Sequence, residues 1–115
     1  MIIIAFAENT SKLLPNIFCK NLKHCAPIMV KPDEIIMLQF IRYKKIEEIH
    51  LKMRDIQILK RHGWKFVYLT QDMPQDIKTY RAKTCVQFTK HAAKIQNICI
   101  QTPNALYKHL IATWG

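Results

Sequence analysis

The chain opens on an unbroken apolar run, Ile2 to Ala7, which reads as a short buried strand. Asn9-Thr10-Ser11 then offers caps for a helix over about Ser11 to Leu22. Leu13, Leu14, Ile17 and Phe18 supply its apolar face, and Pro15 fits its first turn. His24 to Val30 alternates as a strand. His24, Ala26, Ile28 and Val30 fall on one side, and Cys25, Pro27 and Met29 on the other. Pro27 predicts an edge position or a bulge, because proline cannot donate to a sheet ladder. Lys31-Pro32-Asp33-Glu34 is a turn, and Ile35 to Tyr43 is the return strand of a hairpin, with Met37, Gln39 and Ile41 on one face.

A further strand, about Ile46 to Leu51, follows despite its Glu47-Glu48 pair. Met53 to His62 has the spacing of a short helix closed by Gly63. Trp64 to Thr70 alternates cleanly and predicts a strand. Gln71 to Ala82 is polar and holds Pro74, as a loop or a turn of helix does. Thr84 caps a helix beginning at Cys85 and running towards Ile95. Thr102-Pro103 opens a last helix carrying Leu106, Tyr107, Leu110 and Ile111. The order is β-α-β-β-(β)-α-β-α-α. It predicts an α+β domain over residues 1–115: a small antiparallel sheet, an N-terminal helix and a C-terminal helix pair.

Composition narrows the function. The chain has 115 residues, 50% of them hydrophobic, enough for one core and too apolar for a disordered tail. Its two glycines, Gly63 and Gly115, exclude a phosphate-binding glycine loop or a dinucleotide fingerprint. No apolar run approaches ~20 residues, so no transmembrane helix is expected. The start lacks the basic region of a signal peptide, and a cytoplasmic protein is the expectation. The net charge of +10 is compatible with nucleic acid or an acidic partner, although the basic residues are scattered. The cysteines Cys19, Cys25, Cys85 and Cys99 form no CxxC, and Cys19, Cys25 and His24 match no common zinc spacing. Buried free thiols are expected, with neither metal nor cofactor.

Cys85 carries the candidate chemistry. A thiol in the first turn of a helix meets the positive end of the dipole and unpaired N–H groups, and Lys83 stands beside it. All three favour the thiolate, a nucleophile that needs a base within hydrogen-bonding reach and a third group to orient that base. His91 lies six residues along the same helix and cannot reach. His24 can, if its strand face packs on the Cys85 helix. Gln39, polar within an apolar run on the partner strand, can accept the other ring N–H and fix the tautomer. Each residue also has a plain structural use. Cys85, Phe88, Ala92 and Ile95 make an ordinary core stripe, a strand-opening histidine is commonly a boundary residue, and a strand glutamine commonly bonds across the ladder.

The ordered combination of a histidine strand, a polar residue on its partner and then cysteine at a helix start resembles the circularly permuted papain-like hydrolases. These form the permuted branch of the NlpC-type superfamily. Small members, many from phages or phage-derived regions, often read T-C-V-x-x-x-K at the cysteine helix and then T-P-x-x-L-Y-x-x-L. The corresponding runs here are Thr84-Cys85-Val86 to Lys90 and Thr102-Pro103 to Leu110. The resemblance implies Cys85 as nucleophile, His24 as base and Gln39 as the orienting third residue, where the family more usually has an acid or histidine. It implies a cysteine amidase, peptidase or acyltransferase acting on peptide-like or peptidoglycan-like amides, and a phage or prophage association. A basic binding protein contacting nucleic acid or an acidic partner through its charge and exposed aromatics such as Tyr43, Tyr80 and Trp114, including a degenerate hydrolase fold, is the alternative from another class.

Overall fold

A computed structural model of the chain describes residues 1–7, 24–42 and 45–114. The helix expected over Ser11 to Leu22, and Cys19 within it, lie outside these residues. The elements are β1 (Ile2–Ala7), β2 (His24–Val30), β3 (Ile35–Arg42), β4 (Lys45–Leu51), α1 (Met53–Arg61), β5 (Lys65–Leu69), α2 (Cys85–Ala92) and α3 (Pro103–Trp114). The strands form one antiparallel sheet in the order β4-β3-β2-β1-β5. The class is α+β, and the C-terminal helix pair is present.

Helices cover the sheet on both faces, and this divides the core in two. Ile2, Ile4 and Phe6 point to the side occupied by α2 and α3, where they join Cys25, Leu69, Val86, Leu106 and Leu110. Ile36 and Leu38 extend that side against Phe88 and Ala92. Ile3 and Ala5 point the other way, to Ala26, Ile28, Met37 and Ile56 of α1. Double coverage explains why the apolar run of β1 does not alternate: each of its six residues is buried. Phe6 meets Tyr107 of α3 edge-on, with ring centroids 5.1 Å apart. Phe40 of β3 packs on Phe88 of α2 at 6.1 Å.

Pro27 departs from expectation. It is fully buried in β2, an interior strand, and aligns with Ile4 of β1. The Val30 N–H bonds to the Met1 carbonyl, so by alternation the Pro27 nitrogen faces β3. Pairing between β2 and β3 runs only from Val30 to Ile28. Pro27 therefore occupies the point where that ladder has ended, and its missing donor breaks no bond.

Helix α2 is also shorter than the apolar stripe suggests. It closes in a Schellman turn: Ile95 N–H bonds to the Lys90 carbonyl at 2.9 Å, and Lys94 N–H to the His91 carbonyl at 3.1 Å. Lys94 takes the left-handed conformation, φ 60°, that glycine usually fills. Ile95 lies past the helix end but still packs against the core.

Candidate active site

Thr84 begins the site. Its backbone is extended, and its hydroxyl oxygen accepts the Gln87 N–H at 3.1 Å. Gln87 reaches back, its side-chain oxygen accepting the Lys83 N–H at 2.8 Å. These reciprocal bonds fix the chain entry, so that Cys85 is the first helical residue, as the sequence predicts. The Phe88 N–H bonds to the Thr84 carbonyl. The N–H groups of Cys85 and Val86 are the remaining donors of the first turn.

The half-buried Cys85 sulfur lies against β2. Cys25 Sγ is 4.0 Å from Cys85 Sγ and donates to the Cys85 carbonyl at 3.7 Å. The Cys25 thiol, hydrogen-bonded to the Cys85 sulfur, is the largest influence that lowers the Cys85 pKa, to about 4. Burial opposes this, while His24 lowers it further through its side chain and its charge, and the Cys25 backbone N–H adds to the effect. That N–H faces the side on which the β2–β3 ladder has ended, which leaves it free to serve the sulfur. The Cys25 pKa moves the other way, well above its ordinary value. Burial is the main cause, followed by its role as donor to Cys85, and Thr89 offsets part of the rise. The pair is one thiolate and one retained thiol.

His24 is 1% exposed, and neither of its ring nitrogens has an aligned hydrogen-bond partner among the described residues. Its influence on Cys85 is therefore that of a near neighbour whose ring is not lined up with the sulfur. Only three polar side chains are buried among the described residues, His24, Gln39 and Thr89. Two of them act on the cysteine pair, so the polar part of an otherwise apolar interior is gathered at this point.

The strand phase differs from the one the sequence suggests. The face of β2 that carries Ala26 and Ile28 packs on α1, and the face that carries Cys25 packs on α2. His24 shares the parity of Ala26. It acts on Cys85 from the first position of the strand, opposite Ala7, rather than from the middle of a shared face. Cys25 is the residue that sequence reasoning passed over, because a cysteine between a histidine and an alanine reads as packing. The signal was its parity, opposite to that of His24. Gln39 is buried on β3 and aligned with Glu47 of β4, and no hydrogen bond joins it to His24.

His91 belongs to a separate cluster. Its Nε2 is 2.8 Å from Asp76 Oδ1, and its ring stacks on Tyr80 with centroids 3.8 Å apart. The stack covers one face of Tyr80, one of the aromatics of the binding alternative, which remains 37% exposed. Tyr43, another of those aromatics, and the side chain of Trp114 lie outside the description. Among the described residues no group of three His, Cys, Asp or Glu side chains is placed to hold a metal ion. No helix among them is long and apolar enough to cross a membrane. No family model, curated protein or solved structure matches the chain.

Proposed function

We propose that the chain is a cysteine acyl-transfer enzyme, an amidase, peptidase or acyltransferase of the permuted papain-like type. The observation that carries this reading is a capped helix start that sets the Cys85 sulfur beside a buried histidine with no aligned partner among the described residues. A buried polar group left unpaired costs about 1–3 kcal/mol, a cost that a proton-carrying role accounts for.

In this reading the Cys85 thiolate attacks the carbonyl carbon of an amide or thioester. The N–H groups at the start of α2 face the oxygen that gains charge. His24 carries the proton given up by the thiol and passes it to the departing amine or thiol. A thioester to Cys85 remains, and water or an amine releases it while His24 takes the incoming proton. A thiolate with a pKa of about 4 is itself a good leaving group. Amide cleavage therefore depends on His24 protonating the amine, whereas thioesters and activated esters depend on it less. Gln39, buried on the neighbouring strand β3, is the candidate for orienting His24. The resemblance to the permuted branch makes peptide-like and peptidoglycan-like amides the leading substrates.

The test is turnover on a panel of aryl esters, thioesters and peptide amides. Activity abolished by Cys85→Ala, with amides more sensitive than thioesters to His24→Ala, supports the reading. Turnover unchanged in Cys85→Ala refutes it. The net charge of +10 supports a second role, contact with nucleic acid or an acidic partner. Binding that weakens steeply with salt would support that role.

A further inference from the structure

The two sulfurs at the site are neighbours in space, 60 residues apart in sequence. We propose that Cys85 and Cys25 form a reversible peroxide-driven thiol–disulfide couple, with Cys85 as the peroxide-reactive sulfur and Cys25 as the resolving thiol. The proposal shares Cys85 with the acyl-transfer reading and does not rest on it, because oxidation needs no acyl substrate.

Three observations carry it. First, the Sγ–Sγ separation of 4.0 Å is about 2 Å longer than a disulfide bond. Second, the pair divides the labour that peroxide chemistry requires. Cys85 is half-buried, whereas Cys25 is 1% exposed and lies behind it within the sheet. Third, the two cysteines stand on different elements. Cys25 is held within an interior strand, whereas Cys85 is the first residue of a helix that follows an irregular segment.

The chemistry balances with a hydroperoxide as oxidant. The Cys85 thiolate attacks the terminal oxygen, an S–O bond forms and the O–O bond breaks. The departing alkoxide or hydroxide takes a proton, and Cys85 becomes a sulfenic acid, oxidised by two electrons. Cys25 sulfur then attacks the Cys85 sulfur. The S–S bond forms, the S–O bond breaks, and the hydroxide leaves as water with the proton from Cys25. Two thiols and one hydroperoxide give one disulfide, one alcohol or water, and one water. A thiol reductant reverses the couple. While it is closed, Cys85 cannot attack a carbonyl, so the same bond would gate the proposed enzyme.

The experiment treats the reduced full-length chain with one equivalent of hydrogen peroxide near neutral pH. Intact mass and a non-reducing peptide map are then read. The expected product is a monomer lighter by two hydrogens, with Cys25 and Cys85 in one linked peptide pair. The thiol titre in denaturant falls from four to two per chain and is restored by dithiothreitol. In Cys25→Ala the linked pair is absent, and dimedone traps the sulfenic acid on Cys85. Cys85 carried to sulfinic acid with Cys25 still free, or Cys85 linked to Cys19, Cys99 or another chain, would overturn the proposal. The wild-type map decides the matter even if Cys25→Ala folds poorly. An intact couple in a chain that turns over no acyl substrate would leave this inference standing and the acyl-transfer reading refuted.

Discussion

Replacing Cys25 by alanine removes the largest influence holding Cys85 as a thiolate, and the consequence is legible in alkylation rates as a function of pH. An ordinary cysteine, with a pKa near 8.5, is roughly 0.03% thiolate at pH 5. With a pKa of about 4, Cys85 is roughly 90% thiolate there, a gain of about 3000-fold. A weaker base is also a weaker nucleophile. A Brønsted slope of about 0.4–0.5 over about 4.5 pKa units takes back about 100-fold. The net advantage at pH 5 is about 30-fold. At pH 7 it has vanished, because an ordinary thiol is by then about 3% thiolate. Speed at neutral pH is therefore the wrong observable, and the shape of the profile is the right one. Iodoacetamide labelling of native Cys85, located by mass spectrometry, should be nearly flat from pH 5 to 8. The same cysteine in the urea-unfolded chain should rise about tenfold per pH unit over that range. In Cys25→Ala the native profile should regain a slope, and in His24→Ala a smaller one. A native Cys85 profile that climbs tenfold per unit from pH 5 to 8 would refute the thiolate assignment and the reasoning from Cys25.

Stability should follow the same ionisation. The folded pKa of Cys85 lies below its unfolded value, so its contribution is fully present above about pH 8.5 and is lost as pH falls towards about 4, at up to about 1.4 kcal/mol per unit. Denaturant midpoints of wild type minus Cys85→Ala should narrow steadily across that window, and a constant difference would contradict the shift. Lys94→Gly should stabilise the chain by about 1 kcal/mol, because Lys94 holds a left-handed position in the helix-closing turn. A loss in urea unfolding would mean that the lysine side chain outweighs the backbone. Phe88→Ala should cost about 3–5 kcal/mol, since Phe88 is fully buried between α2 and β3. A cost below about 1 kcal/mol would show that α2 is not seated on the sheet as described.

The parts that were legible in the sequence are those where one signal acts alone. The Thr84 cap, the Thr102-Pro103 start, the closing Gly63 and the alternation of Trp64 to Thr70 each set an element without help from distant residues. The histidine and cysteine that the sequence singled out do come close together. Their route to each other was not legible. Cys25, Ala26, Pro27 and Ile28 are all buried, because β2 is covered on both faces, so polarity along the strand cannot say which face meets which helix. The same double coverage hid Cys25 and made Pro27 look like an edge residue. The end of the β2–β3 ladder, which resolves both, is a property of strand divergence that no local pattern encodes.

The most direct measurement is intact-mass trapping of the acyl-enzyme. The reduced chain is mixed with an activated thioester and quenched in acid at intervals. The account predicts one acyl group per chain, mapped to Cys85, absent in Cys85→Ala, and with slowed release in His24→Ala. Acylation spread over several cysteines, or release at the same rate with and without His24, would contradict it.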